Sequence, residues 1–372
     1  MNVPVYKPLI EKSDIDAVSS VLEEAWLGHG KYVKDFENKI SSHIDNNERR
    51  VVAVSTGTSA AHLSLLAAGV RPGDEVIMSA LNFVGVAQAI SATGANPVFC
   101  DVDDNMTLDI EKVEMLINKK TFAIITLDYG SNQCDLDQFI NLGKKYNVRI
   151  IHDAAHSFGW KNKGRMTGSY GDICFFSFDP VKCFTAIDAG AVVLNDEDEE
   201  KWIIEARSVG QSLDMATYGK NVKLEFKHVE HIGFRYHVSN VHAVLGMNQI
   251  DKYERISSSR QKTCEKYNQA FSHLDFVEPI GKKYDDIIPF IYVVRIKNDQ
   301  RNALRDFLKK NGVETHVHWA PLHWYKFYKS NKTSDMSVTN IAGMEVLTLP
   351  LHSCMAETDS NYVIDKICEY FK

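Results

Sequence analysis

Between about residue 50 and residue 195, short apolar runs rich in β-branched residues alternate with stretches whose apolar positions recur every three to four residues. VVAVS (51–55) reads as a strand, SAAHLSLLAAG (59–69) as a helix stopped by Gly69, and EVIMS (75–79) as the next strand beyond an Arg-Pro-Gly turn. The unit then repeats as helix VGVAQAISATG (84–94), strand PVFCDV (97–102), helix LDIEKVEMLINKK (108–120) and strand FAIITL (122–127). Helix LDQFINLGKKYN (136–147) and strand VRIIH (148–152) follow, and then two more apolar strands, DICFFSF (172–178) and AGAVVL (189–194). Apolar strands separated by helices of this length predict an α/β fold with a mostly parallel sheet, right-handed crossovers and helices on both faces. Ligands of such sheets bind at the carboxyl ends of the strands.

The pattern changes after residue 245. LGMNQIDKYERISSSRQKTCEKYNQAF (245–271) reads as one long helix, followed by a strand IIPFIYVVRI (287–296), a helix QRNALRDFLKKNG (300–312) and a strand VETHVHW (313–319). This predicts a large α/β domain over residues 1–245 and a small C-terminal α+β domain over residues 246–372, the latter joined by a first helix near residues 13–25.

Composition narrows the function. The 372 residues carry 42 Lys plus Arg against 49 Asp plus Glu, a net charge of −7, which is the wrong sign for binding nucleic acid through phosphate charge. Charges interrupt every apolar stretch of MNVPVYKPLIEKSD, so it reads as neither a signal peptide nor a membrane span, and a cytoplasmic protein is expected. The seven cysteines are scattered with no Cys-x-x-Cys pair, which points to reduced thiols and away from a cysteine-based metal site.

Three features then bear on chemistry. Ser55-Thr56-Gly57-Thr58-Ser59 leaves a strand and enters a helix; its small residues suit a phosphate at a helix N-terminus, and equally an ordinary N-cap by Thr58 or Ser59. Asp153 stands just beyond an apolar strand, where a carboxylate either caps the next turn or pairs with a protonated ring nitrogen. Lys182, in the turn Ser177-Phe178-Asp179-Pro180-Val181-Lys182, is either a solvated surface charge or a desolvated, carbonyl-reactive amine. A phosphate cradle, a ring-nitrogen acid and a Schiff-base lysine are together the kit for pyridoxal 5′-phosphate.

STGTSAAHLSLLAAGV with PGDEVI, HDAAHSFG, GDICFFSFDPVKCFTAIDAGAVVLND, GFRYHVSNVHAVLGMNQIDK, HWAPLHW and LTLPLH occur in an order that resembles the DegT/DnrJ/EryC1/StrS sugar aminotransferases, from KPLIEKSDIDAV (7–18) to LPLH (349–352). The resemblance implies the aspartate-aminotransferase-like fold, type I among pyridoxal phosphate enzymes, and a homodimer with shared active sites. It implies Lys182 as the lysine that binds the cofactor covalently, Asp153 on the pyridine nitrogen, His156 near the phenolic oxygen and Phe83 stacked on the ring. Gly57, Thr58, Ser59 and Ser177 would hold the phosphate. The reaction implied takes an amino group from L-glutamate to a nucleotide-linked keto-deoxysugar, for surface polysaccharide or glycoconjugate synthesis.

Several positions depart from the family pattern. Gly233-Phe234-Arg235-Tyr236-His237 stands where relatives read Gly-Tyr-Asn-Tyr-Arg, so Arg235 would either serve the partner's cofactor phosphate or bind an acidic group of the substrate. Arg207-Ser208-Val209-Gly210 replaces Arg-x-His-Gly, Ile187-Asp188-Ala189-Gly190 replaces Gly-Glu-Gly-Gly, and Leu127-Asp128-Tyr129-Gly130 replaces His-Leu-Tyr-Gly. These changes keep a cyclitol or a small phosphorylated ketone open as acceptor. A dehydratase of the same fold is disfavoured by Lys182, since the related dehydratases carry His there. His316, His318 and His323 in THVHWAPLHW lack nearby carboxylates at metal-ligand spacing, so no metal is expected; the family reading makes His318 and His323 substrate contacts. Gly28-His29-Gly30 lacks the third glycine of a dinucleotide fingerprint.

Overall fold

The computed structural model describes residues 1–211, 229–281 and 283–372. After helices α1 (Lys12–Glu23) and α2 (Lys31–His43), strands and helices alternate: β1 (Arg50–Val54), α3 (Gly57–Ala67), β2 (Glu75–Ser79), α4 (Val84–Ala92), β3 (Asn96–Cys100), α5 (Ile110–Leu116), β4 (Thr121–Leu127), α6 (Leu136–Tyr146) and β5 (Arg149–Asp153). A small hairpin, β6 (Lys161–Asn162) and β7 (Arg165–Met166), precedes β8 (Ile173–Ser177), β9 (Gly190–Leu194) and α7 (Glu197–Ala206). The seven-stranded sheet has the order β1-β9-β8-β5-β4-β2-β3; β8, β5, β4, β2 and β3 are mutually parallel, and β9 runs antiparallel to both its neighbours.

Successive residues of the central strands feed opposite faces, as the pleat requires. Val76 and Met78 of β2, Ala123 and Ile125 of β4 and Ile151 of β5 join one core with α3 and α4, while Ile77, Ile124 and Ile150 join another with α5 and α6. Both faces are covered, which is why the strands read as unbroken apolar runs.

The remaining elements are α8 (Asn240–Ile250), α9 (Tyr253–Phe271), β10 (Val277–Ile280), β11 (Tyr292–Ile296), α10 (Arg301–Lys310), α11 (Ser337–Glu345), β12 (Val346–Leu349) and α12 (Glu357–Tyr370). β10, β11 and β12 form an antiparallel sheet whose core includes Cys264, Tyr267, Phe271, Leu304, Leu308, Val363 and Ile367 from α9, α10 and α12.

Several expected element boundaries differ in the structure. The long helix over 245–271 is two helices, broken at Asp251 and Lys252, with the Lys252 ammonium held by the buried Asp14 carboxylate. The break lets α8 lie along α1 and α2 while α9 turns away: Ile256 packs in the large core, and Cys264 onward in the small one. Because α1 packs on α8, the first helix lies with α2 and not with the C-terminal sheet, although Val3 reaches the C-terminal core. The division expected between residues 245 and 246 falls inside α8.

The strand over 287–296 begins only at Tyr292. Pro289 has no N–H to give a ladder, and the Arg260 guanidinium takes the carbonyls of Pro289 and Phe290, each at 3.1 Å. Within 313–319 only Val313 and His316 make isolated bridges, to Val3 and Thr348. The N-cap of α3 is Thr56, whose hydroxyl accepts the Ser59 N–H at 2.9 Å.

Candidate active site

The carboxyl ends of β5 and β8, the N-terminus of α3 and the turn between β8 and β9 surround a cavity of about 540 Å³. Gly57, Thr58, Phe83, Asp153, His156, Ser177, Lys182 and His318 all line it. At one end α3 presents its first turn. The Thr56 cap satisfies the Ser59 N–H and leaves those of Gly57 and Thr58 without an intrahelical acceptor, at the positive end of the helix dipole. Ser177 closes the cradle: a Cβ on Gly57 would lie 2.8 Å from the Ser177 Cβ, and one on Gly190 would lie 2.3 Å from the Thr56 carbonyl. Only glycine permits that approach of β9 and β8 to the loop.

Asp153 ends β5 and is buried, with one carboxylate oxygen accepting the Ala155 N–H at 3.1 Å and the other 3.5 Å from the Asn82 amide. Burial pushes its carboxyl up to about 6, against the Ala155 N–H and the positive charge of Lys182. A buried carboxylate so thinly partnered and facing a cavity is matched to a cation. Lys182 follows an Asx turn in which the Val181 N–H donates to Asp179 at 3.0 Å; its Nζ lies 4.0 Å from the centre of the Phe290 ring. Burial lowers its pKa to about 8, with Asp153 and Asp179 opposing. Phe83, at the N-cap of α4, is 48% exposed and lines the cavity, where a planar ligand can stack.

His156 is buried between Phe290, at 4.5 Å, and Trp319, stacked at 5.2 Å, and its Nδ1 accepts the Gly130 N–H at 3.2 Å. Burial, with the charges of Lys182 and His318, holds it well below the ordinary histidine range, so the ring is neutral.

Three expected residues lie elsewhere. The Ser59 hydroxyl is turned into the helix cap, 2.8 Å from the Thr56 carbonyl and 2.9 Å from its N–H, and Ser59 does not line the cavity. Arg235 is exposed, bridged through its backbone to Ser208, and outside the cavity of its own chain. His323 bonds Asn340 at 2.9 Å, also outside. The cavity has walls the motifs did not point to: Tyr6, from the N-terminal segment, and Phe290, from the run read as a strand. Their nearest signals were the motif beginning at Lys7 and the proline of IIPF.

Behind the site, Asp128 and His152 form a buried pair at 2.9 Å, with Cys134 beside them. Among the described residues these three bring potential metal-ligand atoms within 4.8 Å of one another, but the carboxylate–imidazole separation is that of a hydrogen bond. Burial lowers the His152 pKa, yet the Asp128 charge and hydrogen bond outweigh it and hold the imidazole well above its ordinary range.

Phosphate donors, a buried carboxylate, a desolvated lysine and an aromatic face meeting at the strand ends of such a sheet define a pyridoxal phosphate enzyme of fold type I. The chain belongs to the DegT/DnrJ/EryC1/StrS aminotransferase family, whose model matches residues 8–368. It is a pyridoxal phosphate-dependent aminotransferase. It is 29% identical over 374 residues to the GDP-perosamine synthase of Escherichia coli O157:H7, covering 99% of this chain and 98% of that protein. It is also 29% identical over 384 residues to the spore coat polysaccharide biosynthesis protein SpsC of Bacillus subtilis, covering 100% and 97%. Among solved structures, the aminotransferase TlmJ from Streptoalloteichus hindustanus matches with TM-score 0.90 at 29% identity, covering 98% of this chain and 97% of that one. Helicobacter pylori PseC shares the fold at TM-score 0.92 and 22% identity, covering 100% and 99%. Among the described residues no helix is long and apolar enough to cross a membrane.

Proposed function

We propose that this aminotransferase moves an amino group from L-glutamate to a nucleotide-linked keto-deoxysugar in the cytoplasm, supplying an amino sugar for a surface polysaccharide or glycoconjugate. The observation that carries the reading is the convergence of Lys182, Asp153, Ser177 and the α3 N-terminus on one cavity. The sugar class is supported by two relatives, a GDP-perosamine synthase and a spore coat polysaccharide protein.

Gly57, Thr58 and Ser177 would bind the cofactor phosphate, Phe83 would stack on its ring, and Asp153 would pair with its ring nitrogen. When bound, the cofactor supplies an electron sink for charge developing on the substrate carbon. Lys182, neutral above about pH 8, takes the proton from that carbon and returns it. His156, neutral and wedged between two aromatic rings, fixes the cofactor edge. Arg235, exposed and outside its own cavity, is placed as a residue serving a second copy would be, which supports a homodimer with shared sites.

The test loads the enzyme with pyridoxal phosphate, adds L-glutamate, and offers the aminated enzyme a panel of GDP-, dTDP- and UDP-linked 4-keto-6-deoxyhexoses, a keto-cyclitol and small keto-phosphates. Return of the original absorbance with a nucleotide-linked ketone supports the proposal. Return with the cyclitol or keto-phosphates alone overturns the sugar acceptor. No spectral change with glutamate overturns the donor.

A further inference from the structure

The N-terminal segment is fastened to the C-terminal half of the chain. The Val3 N–H donates to the Gly312 carbonyl at 2.9 Å, the Glu314 N–H donates to the Val3 carbonyl at 3.0 Å, and the Leu351 N–H donates to the Val5 carbonyl at 3.2 Å. The next residue, Tyr6, enters the cavity. Its ring stacks on Phe290 at 6.2 Å and 10°, the same ring that lies beneath the Lys182 ammonium. Its hydroxyl is 2.8 Å from His318 Nε2, while His318 Nδ1 is 2.8 Å from the buried Thr348 hydroxyl on β12. The His318 carbonyl accepts a hydrogen bond from the buried Tyr129 hydroxyl, so backbone and ring are both held.

The chain Tyr6–His318–Thr348 has a preferred direction. Burial, with the charges of His316 and Lys182, keeps His318 well below its ordinary range, so its ring is neutral and carries one proton. If that proton sat on Nδ1, Thr348 would accept it and the buried Thr348 hydrogen would have no acceptor among the described residues, a cost comparable to a lost hydrogen bond. If it sits on Nε2, Thr348 donates to Nδ1, Nε2–H donates to the Tyr6 oxygen, and every buried hydrogen is used. The Tyr6 O–H is then left over. It faces the cavity, and burial pushes its pKa up, so it stays a donor through the neutral range.

We propose that Tyr6, oriented through His318 and Thr348, is a specificity residue that donates a hydrogen bond to an oxygen of the acceptor substrate beside Lys182. This rests on the oxygen-rich keto-sugar acceptor proposed above. It gives the first residues of the chain a place in the active site and makes His318 a positioning residue acting through Tyr6.

The experiment measures both half-reactions on the holoenzyme, with L-glutamate and then with the nucleotide-linked 4-keto-6-deoxyhexoses, for wild type, Tyr6→Phe and Thr348→Val. Tyr6→Phe keeps the ring on Phe290 and deletes only the donor. It should lower acceptor kcat/KM relative to donor kcat/KM by roughly tenfold, mainly through KM, as expected for one hydrogen bond between neutral groups. Thr348→Val, which releases the direction of the chain without touching the cavity, should move the same ratio the same way by a smaller factor. Equal losses in both half-reactions would show a merely structural role and overturn the proposal, as would an unchanged ratio. Wild-type enzyme inert toward every oxygenated ketone would overturn the acceptor reading, and this proposal with it. If the wild type reacts and only the Tyr6→Phe ratio stays flat, the acceptor reading stands and this proposal falls.

Discussion

Asp153→Asn should stabilise the cofactor-free enzyme while abolishing most of its activity. The carboxyl sits in the fold at about 6 where 3.8 is ordinary, so the folded chain binds this proton more tightly than the unfolded one. At 1.36 kcal/mol per pKa step, that difference corresponds to about 3 kcal/mol. The contribution favours the fold fully below pH 3.8 and is lost as pH rises through about 6, so at pH 7.5 the ionised, buried carboxylate is a net burden. Asn removes the charge and keeps an oxygen for the Ala155 N–H. Its new amide faces Asn82, whose own oxygen already accepts the Phe83 N–H at 2.6 Å, and the mismatch returns about 1 kcal/mol. The net expectation is a gain of about 2 kcal/mol for cofactor-free Asp153→Asn at pH 7.5, shrinking toward pH 5. Added pyridoxal phosphate should stabilise wild type more than the variant, because only wild type offers the ring nitrogen a charge. Urea unfolding midpoints of both forms at the two pH values, with and without cofactor, decide it. A variant no more stable than wild type at pH 7.5, or one that gains as much from the cofactor, would refute the argument that Asp153 is an unpaired charge held for a cation.

Three further outcomes follow from other positions. Because the Lys182 ammonium is held down to about 8, covalent uptake of pyridoxal phosphate by the cofactor-free enzyme should accelerate as pH rises through 8, and Lys182→Ala should leave nothing for borohydride to fix. Ile187 is a β-branched residue at φ +65° on the turn after Lys182, so Ile187→Gly should raise the thermal midpoint, by an amount equivalent to about 1 kcal/mol. Glu37→Gln should cost about 3 kcal/mol or more in unfolding free energy, since it strands the Arg207 guanidinium, 2.6 Å from Glu37 and buried with it.

The alternation of apolar runs made the large sheet legible because strands buried on both faces leave an unmistakable composition. It could not show that β9 runs against its neighbours, since an apolar run has no direction. The small sheet was harder: Pro289 and the Arg260 contacts shortened one strand, and both are tertiary effects absent from local pattern. In the site, Asp153 and Ser177 end strands, and position on the sheet brings them to the cavity; Lys182, in the turn after β8, had two readings from the local pattern, and the family resemblance chose between them. Ser59 lies outside the cavity because its hydroxyl is used by the helix cap, a local competition that the motif alone does not show. Tyr6 and Phe290 escaped notice because they reach the cavity from segments with no periodicity.

The antiparallel β9 also sets a timetable. β1, whose end leads directly into the phosphate loop, finds its hydrogen-bonding partner only in β9, with Val54 opposite Gly190. Some 136 residues must therefore leave the ribosome between the synthesis of that strand and the arrival of its neighbour, on the order of ten seconds at typical rates. Until then the apolar Val51–Val54 stretch has no ladder to join, and the cradle beside Gly57 has no floor. The nascent chain therefore carries its β1 strand unpaired until β9 has been made.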